Sequence, residues 1–212
     1  MAISHNALLA DTSGSIGNMV VVRRNGQTYI RHKAKKHHDA KTSKQLIVRA
    51  GLKAANKPVS LFAKYANFSV TKPGQTQRNA LMKHIRKEAF AYENKKWILH
   101  PEKITLSIGP LDLLESLSAD AGENNTINLS WKKNKGNDNA PNDNLYIILF
   151  NPLCKNCKVV EASYGLTQRS ALQFSFSIPP RWSGQAFYIY VYAISSDSTR
   201  ISDSKCLSIK AS

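Results

Sequence analysis

The chain has 212 residues, 42% of them hydrophobic and 21% charged, which is enough apolar material for a core and too much for a disordered chain. Thirty Lys and Arg against fourteen Asp and Glu leave a formal charge of +16, while three cysteines are too few for a disulfide framework. No apolar run reaches the length of a spanning helix, and the start carries no basic residue followed by an apolar stretch, so membrane insertion and a secretory leader are not expected.

The charge is uneven. Residues 1–100 hold nineteen Lys and Arg and four Asp and Glu, a balance of +15; residues 101–212 hold eleven and ten. The texture changes at the same place, and two domains are expected, a basic hairpin-helical unit over 1–100 and a seven-stranded β-sandwich over 101–212. The expected fold class is an α+β N-terminal unit, a β-hairpin with two or three helices, followed by an all-β sandwich.

Met19-Val20-Val21-Val22 and Thr28-Tyr29-Ile30 flank Asn25-Gly26, the residue pair that best tolerates the positive φ angles of a type I′ turn, so a hairpin is expected. Ser13-Gly14-Ser15-Ile16-Gly17 before it is followed by a strand and by no Gly-Lys-Ser/Thr, which excludes a phosphate-binding loop. The densest basic run, Arg31 to His38, comes next. A helix starts at Thr42 or Ser43 with Ile47, Val48, Ala50, Leu52, Ala54 and Ala55 on one arc and Gln45, Arg49, Lys53, Asn56 and Lys57 on the other. Gly51, at the centre of the apolar arc, marks a close approach by another element. Pro58 ends this helix or opens a new turn, and Val59 to Tyr65 form a short helix. A further helix from Gln75 to Tyr92 buries Leu81, Ile85, Ala89 and Tyr92 and displays Arg78, Lys83, Arg86 and Lys87.

Seven short strands follow: Leu113–Ala119, Thr126–Lys132, Asn144–Phe150, Lys158–Ser163, Ala171–Ile178, Ala186–Ile194 and Lys205–Ile209. In the sixth, Phe187, Ile189, Val191 and Ala193 point inward, and Tyr188, Tyr190 and Tyr192 form a strip that is partly covered or meets a partner. Trp131 is a core or rim anchor. Asn134 to Asn144, rich in Asn, Asp, Gly and Pro, is an exposed connection.

The run Tyr188-x-Tyr190-x-Tyr192-Ala193-x-Ser195-x-Asp197, ending with Ser202 and Ser204, resembles the penultimate strand and final turn of fibronectin type III-like sandwiches, with Trp131 in the place of their early tryptophan. Nearly the whole chain is similar to an uncharacterised family from Bacteroidota. That similarity runs through Ser13 to Gly17 with Val20–Val22, Arg24 to Gln27, Gln45 to Lys53, and Asn79-Ala80. It continues in Ile108 to Leu111, Trp131, Phe150-Asn151-Pro152, and Pro180 to Gly184. The resemblance implies a two-part architecture and no chemistry. Arg24, where an aromatic is usual, and Cys154 and Cys157 depart from its pattern.

Cys154-Lys155-Asn156-Cys157 falls between two strands, with only Cys206 left as a further thiolate, so a disulfide or two free thiols is expected rather than zinc. His37-His38-Asp39 sits in a basic run, where protonation or phosphate contact is more natural than catalysis. No nucleophile elbow, His-Glu-x-x-His or deaminase pattern occurs. The chain therefore reads as a non-catalytic binding protein with no cofactor, no metal and no small-molecule substrate, placed in the cytoplasm or within a virion or other assembly.

The expected polyanion-binding residues are Arg23, Arg24, Arg31, Lys33, Lys35, Lys36, Arg49, Lys53, Lys57, Lys83, Arg86 and Lys87. Nucleic acid bound without sequence specificity is the first partner, since no zinc finger or RNA-recognition signature occurs. Tyr29, Tyr65, Phe68 and Phe90 lie among the cations as stacking candidates, with core packing the ordinary alternative. The rival is a structural assembly protein of a virion, contractile apparatus or cell envelope, its basic half seated on an acidic subunit; the sandwich would dock a protein or a second copy of the chain in a homo-oligomer.

Overall fold

The computed structural model describes residues 2–4, 12–34, 39–69, 74–135, 141–153 and 159–210, with backbone alone at 2–4 and 159–166. It divides into two compact units, Met1–Ser43 and Lys44–Ser212. The division therefore falls after Ser43 and not near residue 100. Charge is a surface property and does not report which residues share a core.

The first unit is one antiparallel sheet of β1 (Ala2–Ser4), β2 (Gly14–Ile16), β3 (Met19–Arg24) and β4 (Gln27–His32), in the order β1-β4-β3-β2. The hairpin turns at Asn25 and Gly26 as expected, with φ of 52° and 76°. Val21 and Thr28 are its buried residues among those whose side chains are described.

The second unit begins with α1 (Ser43–Phe62), a single helix that runs through Pro58 instead of ending there. Its buried stripe is Gly51, Ala55, Pro58, Val59 and Phe62. Val48, Ala50 and Leu52, expected inside, are exposed: Val48 precedes the first buried residue, Gly51, and Ala50 and Leu52 fall to either side of the buried stripe. After β5 (Asn67–Phe68), Thr76 caps α2 (Gln77–His84), its hydroxyl accepting from the Asn79 N–H at 3.2 Å. A single π-helical turn, Ile85–Ala89, continues it and keeps Ile85 and Ala89 in the core with Leu81.

The chain then leaves the helix, and Tyr92, expected on its buried face, lies exposed on a hairpin of β6 (Phe90–Glu93) and β7 (Lys96–Leu99). Asn94 and Lys95 at its tip take φ of 48° and 62°, a turn without glycine that the helical spacing conceals. Trp97 of β7 lies across α1: its indole N–H donates to the Ile47 carbonyl at 3.0 Å, and a Cβ on Gly51 would come within 2.7 Å of the ring. The close approach expected at Gly51 is this indole.

β8 (Ser107–Ile108) pairs in parallel with β5 and leads into seven strands. One sheet, β13-β10-β9, holds β9 (Glu115–Ala121), β10 (Thr126–Lys132) and β13 (Gln173–Ser177). The other, β12-β11-β14-β15, holds β11 (Asn144–Phe150), β12 (Val159–Gln168), β14 (Ala186–Ile194) and β15 (Lys205–Lys210). All seven expected strands are present, in the two-sheet sandwich that the resemblance to fibronectin type III-like domains implies. Phe187, Ile189, Val191 and Ala193 face the sandwich core with Ile127, Leu129, Trp131 and Trp182. On the opposite face Tyr190 and Tyr192 pack with Phe62, Leu81, Ile85 and Leu106 in a second core. The tyrosine strip is thus covered by the helices, and the Tyr190 and Tyr192 hydroxyls donate to the Pro101 and Tyr65 carbonyls at 2.8 and 3.0 Å. The unit has three layers: helices, the four-stranded sheet and the three-stranded sheet.

One buried polar centre was not legible beforehand. Arg169, 4% exposed, donates from Nε to Asp143 Oδ2 at 3.1 Å, from Nη1 to Asn134 Oδ1 at 3.0 Å, and from Nη2 to the Asp112 carbonyl at 2.7 Å. Asn134 in turn donates to the Leu113 carbonyl at 2.6 Å. The guanidinium so ties three connections together, and the segment expected as an exposed loop ends in the fully buried Asp143.

Candidate polyanion interface

Alternation along a strand decides where the cations of the first unit point. Arg24 pairs with Gln27, Val22 with Tyr29 and Val20 with Arg31, so these six residues share one face. Arg23 pairs with Thr28 and lies on the other face, beside Val21 and Ile30. Arg23, Arg24 and Arg31 are all exposed. Lys33 is exposed too, and its backbone N–H donates to the Asn18 carbonyl at 2.7 Å. Lys35 and Lys36 lie outside the described residues, as do Cys154 and Cys157.

In the second unit Arg49, Lys53 and Lys57 are exposed along α1, spaced by four residues so that they climb one side of the helix. Asn56 and Ser60 continue that side, and Arg78 reaches across from α2 to donate to Ser60 Oγ at 3.3 Å. On α2 and the π-turn, Asn79, Met82, Lys83, Arg86 and Lys87 line one open depression of about 470 Å³. Sequence reasoning named the three cations; Asn79 and Met82 were missed, although each lies four residues before one of them, Lys83 and Arg86, which places them on the same stripe.

Acids are sparse around these groups. Glu88 turns to Lys87, 2.9 Å away, whose ammonium holds its carboxyl below the usual range. Glu93 and Glu102 lie 3.9 and 3.3 Å from the two ring nitrogens of His100. Among the described residues no acidic side chain pairs with Arg24, Arg31, Lys53, Lys57, Lys83 or Arg86. Of the aromatic candidates, Tyr65 and Phe68 are buried, while Tyr29 and Phe90 are half-buried. Phe68 stacks on His84 with ring centres 5.0 Å apart, and burial together with Lys83 lowers the pKa of that imidazole.

The Cys206 thiol is pushed up to about 12 by burial, which suits a packed side chain and not a nucleophile. Among the described residues no three His, Cys, Asp or Glu side chains gather as a metal site, and no helix is long and apolar enough to cross a membrane.

Residues 11–208 match the model of the family of unknown function DUF6266, and the chain belongs to that family. No curated protein matches it. Among solved structures it is similar to the spore cortex lytic enzyme SleM of Clostridium perfringens, at 17% identity and a TM-score of 0.33, over 48% of this chain and 28% of that one. It is similar to the chicken CNTN1 FN1–FN3 domains, at 13% identity and a TM-score of 0.36, over 55% of this chain and 35% of theirs. A human contactin 1 fn3 domain matches at 9% identity and a TM-score of 0.32, over 49% of this chain and 79% of that domain. The chain thus spans about a third or less of the first two of these proteins.

Proposed function

We propose that this DUF6266 member is a non-catalytic binding protein whose cationic surfaces engage nucleic acid without sequence specificity. The observation that carries this reading is the group of exposed cations with no acidic partner among the described residues: Lys83 and Arg86 at the α2 depression, Lys53 and Lys57 on α1, Arg24 and Arg31 on the first sheet. A cation already paired within the fold gains little from a phosphate, whereas an unpaired one releases condensed counterions on binding. The absence of a reading motif in the sequence supports backbone contact over base-edge recognition.

The sandwich is the protein-docking part of this proposal. Asp120, Asn128, Ser130, Gln173 and Ser175 line a shallow hollow on the wet face of the three-stranded sheet, and none of them is cationic. Ser118 and Ser130 share a hydrogen bond of 2.8 Å, and Ser175 donates to Asn128 at 2.6 Å. A hollow lined by hydroxyls, amides and one carboxylate, with Lys132 farther along the same face of β10, supports contact with a protein surface.

Fluorescence polarisation of the full chain with labelled DNA and RNA oligonucleotides, titrated at several salt concentrations, tests the nucleic-acid reading. With six to ten phosphates engaged, affinity falls by about 10³–10⁵ between 50 and 200 mM salt. Saturable binding with that steep salt slope is the expected outcome; absence of binding at low salt ends the reading.

A further inference from the structure

The twelve cations considered above would contribute alike if charge alone were at work. The register of the first sheet says otherwise. Tyr29 lies on the same face as Arg31, two residues along β4 and so about 7 Å away. Arg24, opposite Gln27, is its diagonal neighbour on β3, at a similar distance of about 7–8 Å. The tyrosine hydroxyl donates to Gln27 Oε1 at 2.7 Å, which fixes the ring on the face that carries the two arginines. This is the more open side of the sheet: Val22 is 38% exposed on it, while Val21 and Thr28, both 4% exposed, lie on the other. Arg23 points to that other side.

We propose that this face, with Tyr29 between Arg24 and Arg31, binds single-stranded nucleic acid by stacking a base on the tyrosine and engaging the flanking phosphates with the two arginines. The proposal rests on the nucleic-acid reading above and adds the strand form and the face. An aromatic ring recognises a base only where its π-face is free, and in a duplex those faces are already stacked. Charge complementarity supports the occupant, since residues 1–43 carry seven Lys and Arg against two Asp and Glu. Tyr29 supplies what a bare polyanion site does not need, an aromatic surface beside the charge.

The test compares variants that change charge identically on opposite faces. Full-length protein is titrated by polarisation against a labelled oligothymidylate of about 20 nucleotides at about 50 mM salt, and against an abasic oligomer and a duplex of the same length. Tyr29→Leu, which keeps an apolar side chain of similar size, is expected to weaken oligothymidylate binding at least about fivefold and to leave the abasic oligomer and the duplex unchanged. Tyr29→Phe keeps the ring and binds within about twofold of wild type, showing that the site is intact. Arg24→Gln and Arg31→Gln each weaken binding several-fold, whereas Arg23→Gln stays within about twofold. Equal losses for Arg23→Gln and Arg31→Gln, or a Tyr29→Leu loss equal on abasic and base-bearing strands, overturn the face while leaving general nucleic-acid binding in place. Failure of the wild type to bind any of the three ligands overturns both.

Discussion

The molecule contains two four-stranded antiparallel sheets that solve opposite problems. In the second unit, the middle strands of β12-β11-β14-β15 are covered on both faces, and β14 is buried from Phe187 to Ile194 except for the half-buried Tyr188. In the first, β1-β4-β3-β2 keeps Arg23, Arg24, Arg31 and Val22 exposed. The same backbone pairing serves stability where the side chains are apolar on both sides, and in the proposal above it serves recognition where exposed cations remain. A sheet buried twice tolerates little change; a sheet left open is free to vary what it presents.

That contrast is most directly broken by truncation. Phe187→Ala, on the sandwich side of β14, and Tyr190→Ala, on its helix side, are each expected to cost about 3–5 kcal/mol in chemical denaturation. Val22→Ala on the small sheet stays within about 0.5 kcal/mol. A mild effect at Tyr190 would mean that the helices only rest on the sheet. Arginines offer the second comparison: Arg169→Ala strands the buried Asp143 carboxylate and is expected to lower stability by roughly 3 kcal/mol, while the exposed Arg31→Ala leaves the denaturation midpoint nearly unchanged. Next, Tyr192→Phe removes only the hydroxyl bonded to the Tyr65 carbonyl and should cost about 1 kcal/mol, which measures the tie between helical layer and sheet.

The smallest effect concerns pH. His84 is depressed by burial first and by Lys83 second, so the unfolded chain holds its proton more tightly than the fold does. Its contribution is therefore complete above the ordinary imidazole value of about 6.5 and is lost as pH falls below it. Thermal melts from pH 7.5 down to 5 should show a modest decline that His84→Gln abolishes.

Much of this fold is legible in the sequence because turn chemistry and alternation agree. Asn25-Gly26 between two β-branched runs fixes the first hairpin, and the seven sandwich strands stand out between clusters of Asn, Asp, Gly and Ser. What escapes is whatever depends on the partner of a face. Three tyrosines at alternate positions read equally as a half-wet strip or a covered one, and only the packed helices decide between them. Tyr92 continues the spacing of Leu81, Ile85 and Ala89, so periodicity alone carries the helix past its end. Val48 sits at a core-facing angle on α1 but before the first buried residue, Gly51. For the candidate interface, exposure of the cations follows from composition, but the separation of Arg23 from its neighbour Arg24 requires the register.

The doubly covered sheet also bears on which parts of the chain can stand alone. A two-sheet sandwich can be a self-contained bead, with both outer faces wet. Here one wall of the bead is lined by Tyr146, Tyr190 and Tyr192 and finished by α1 and α2. Without those helices it would expose an aromatic wall prone to stick to its neighbours, so the sandwich depends on the helices for solubility.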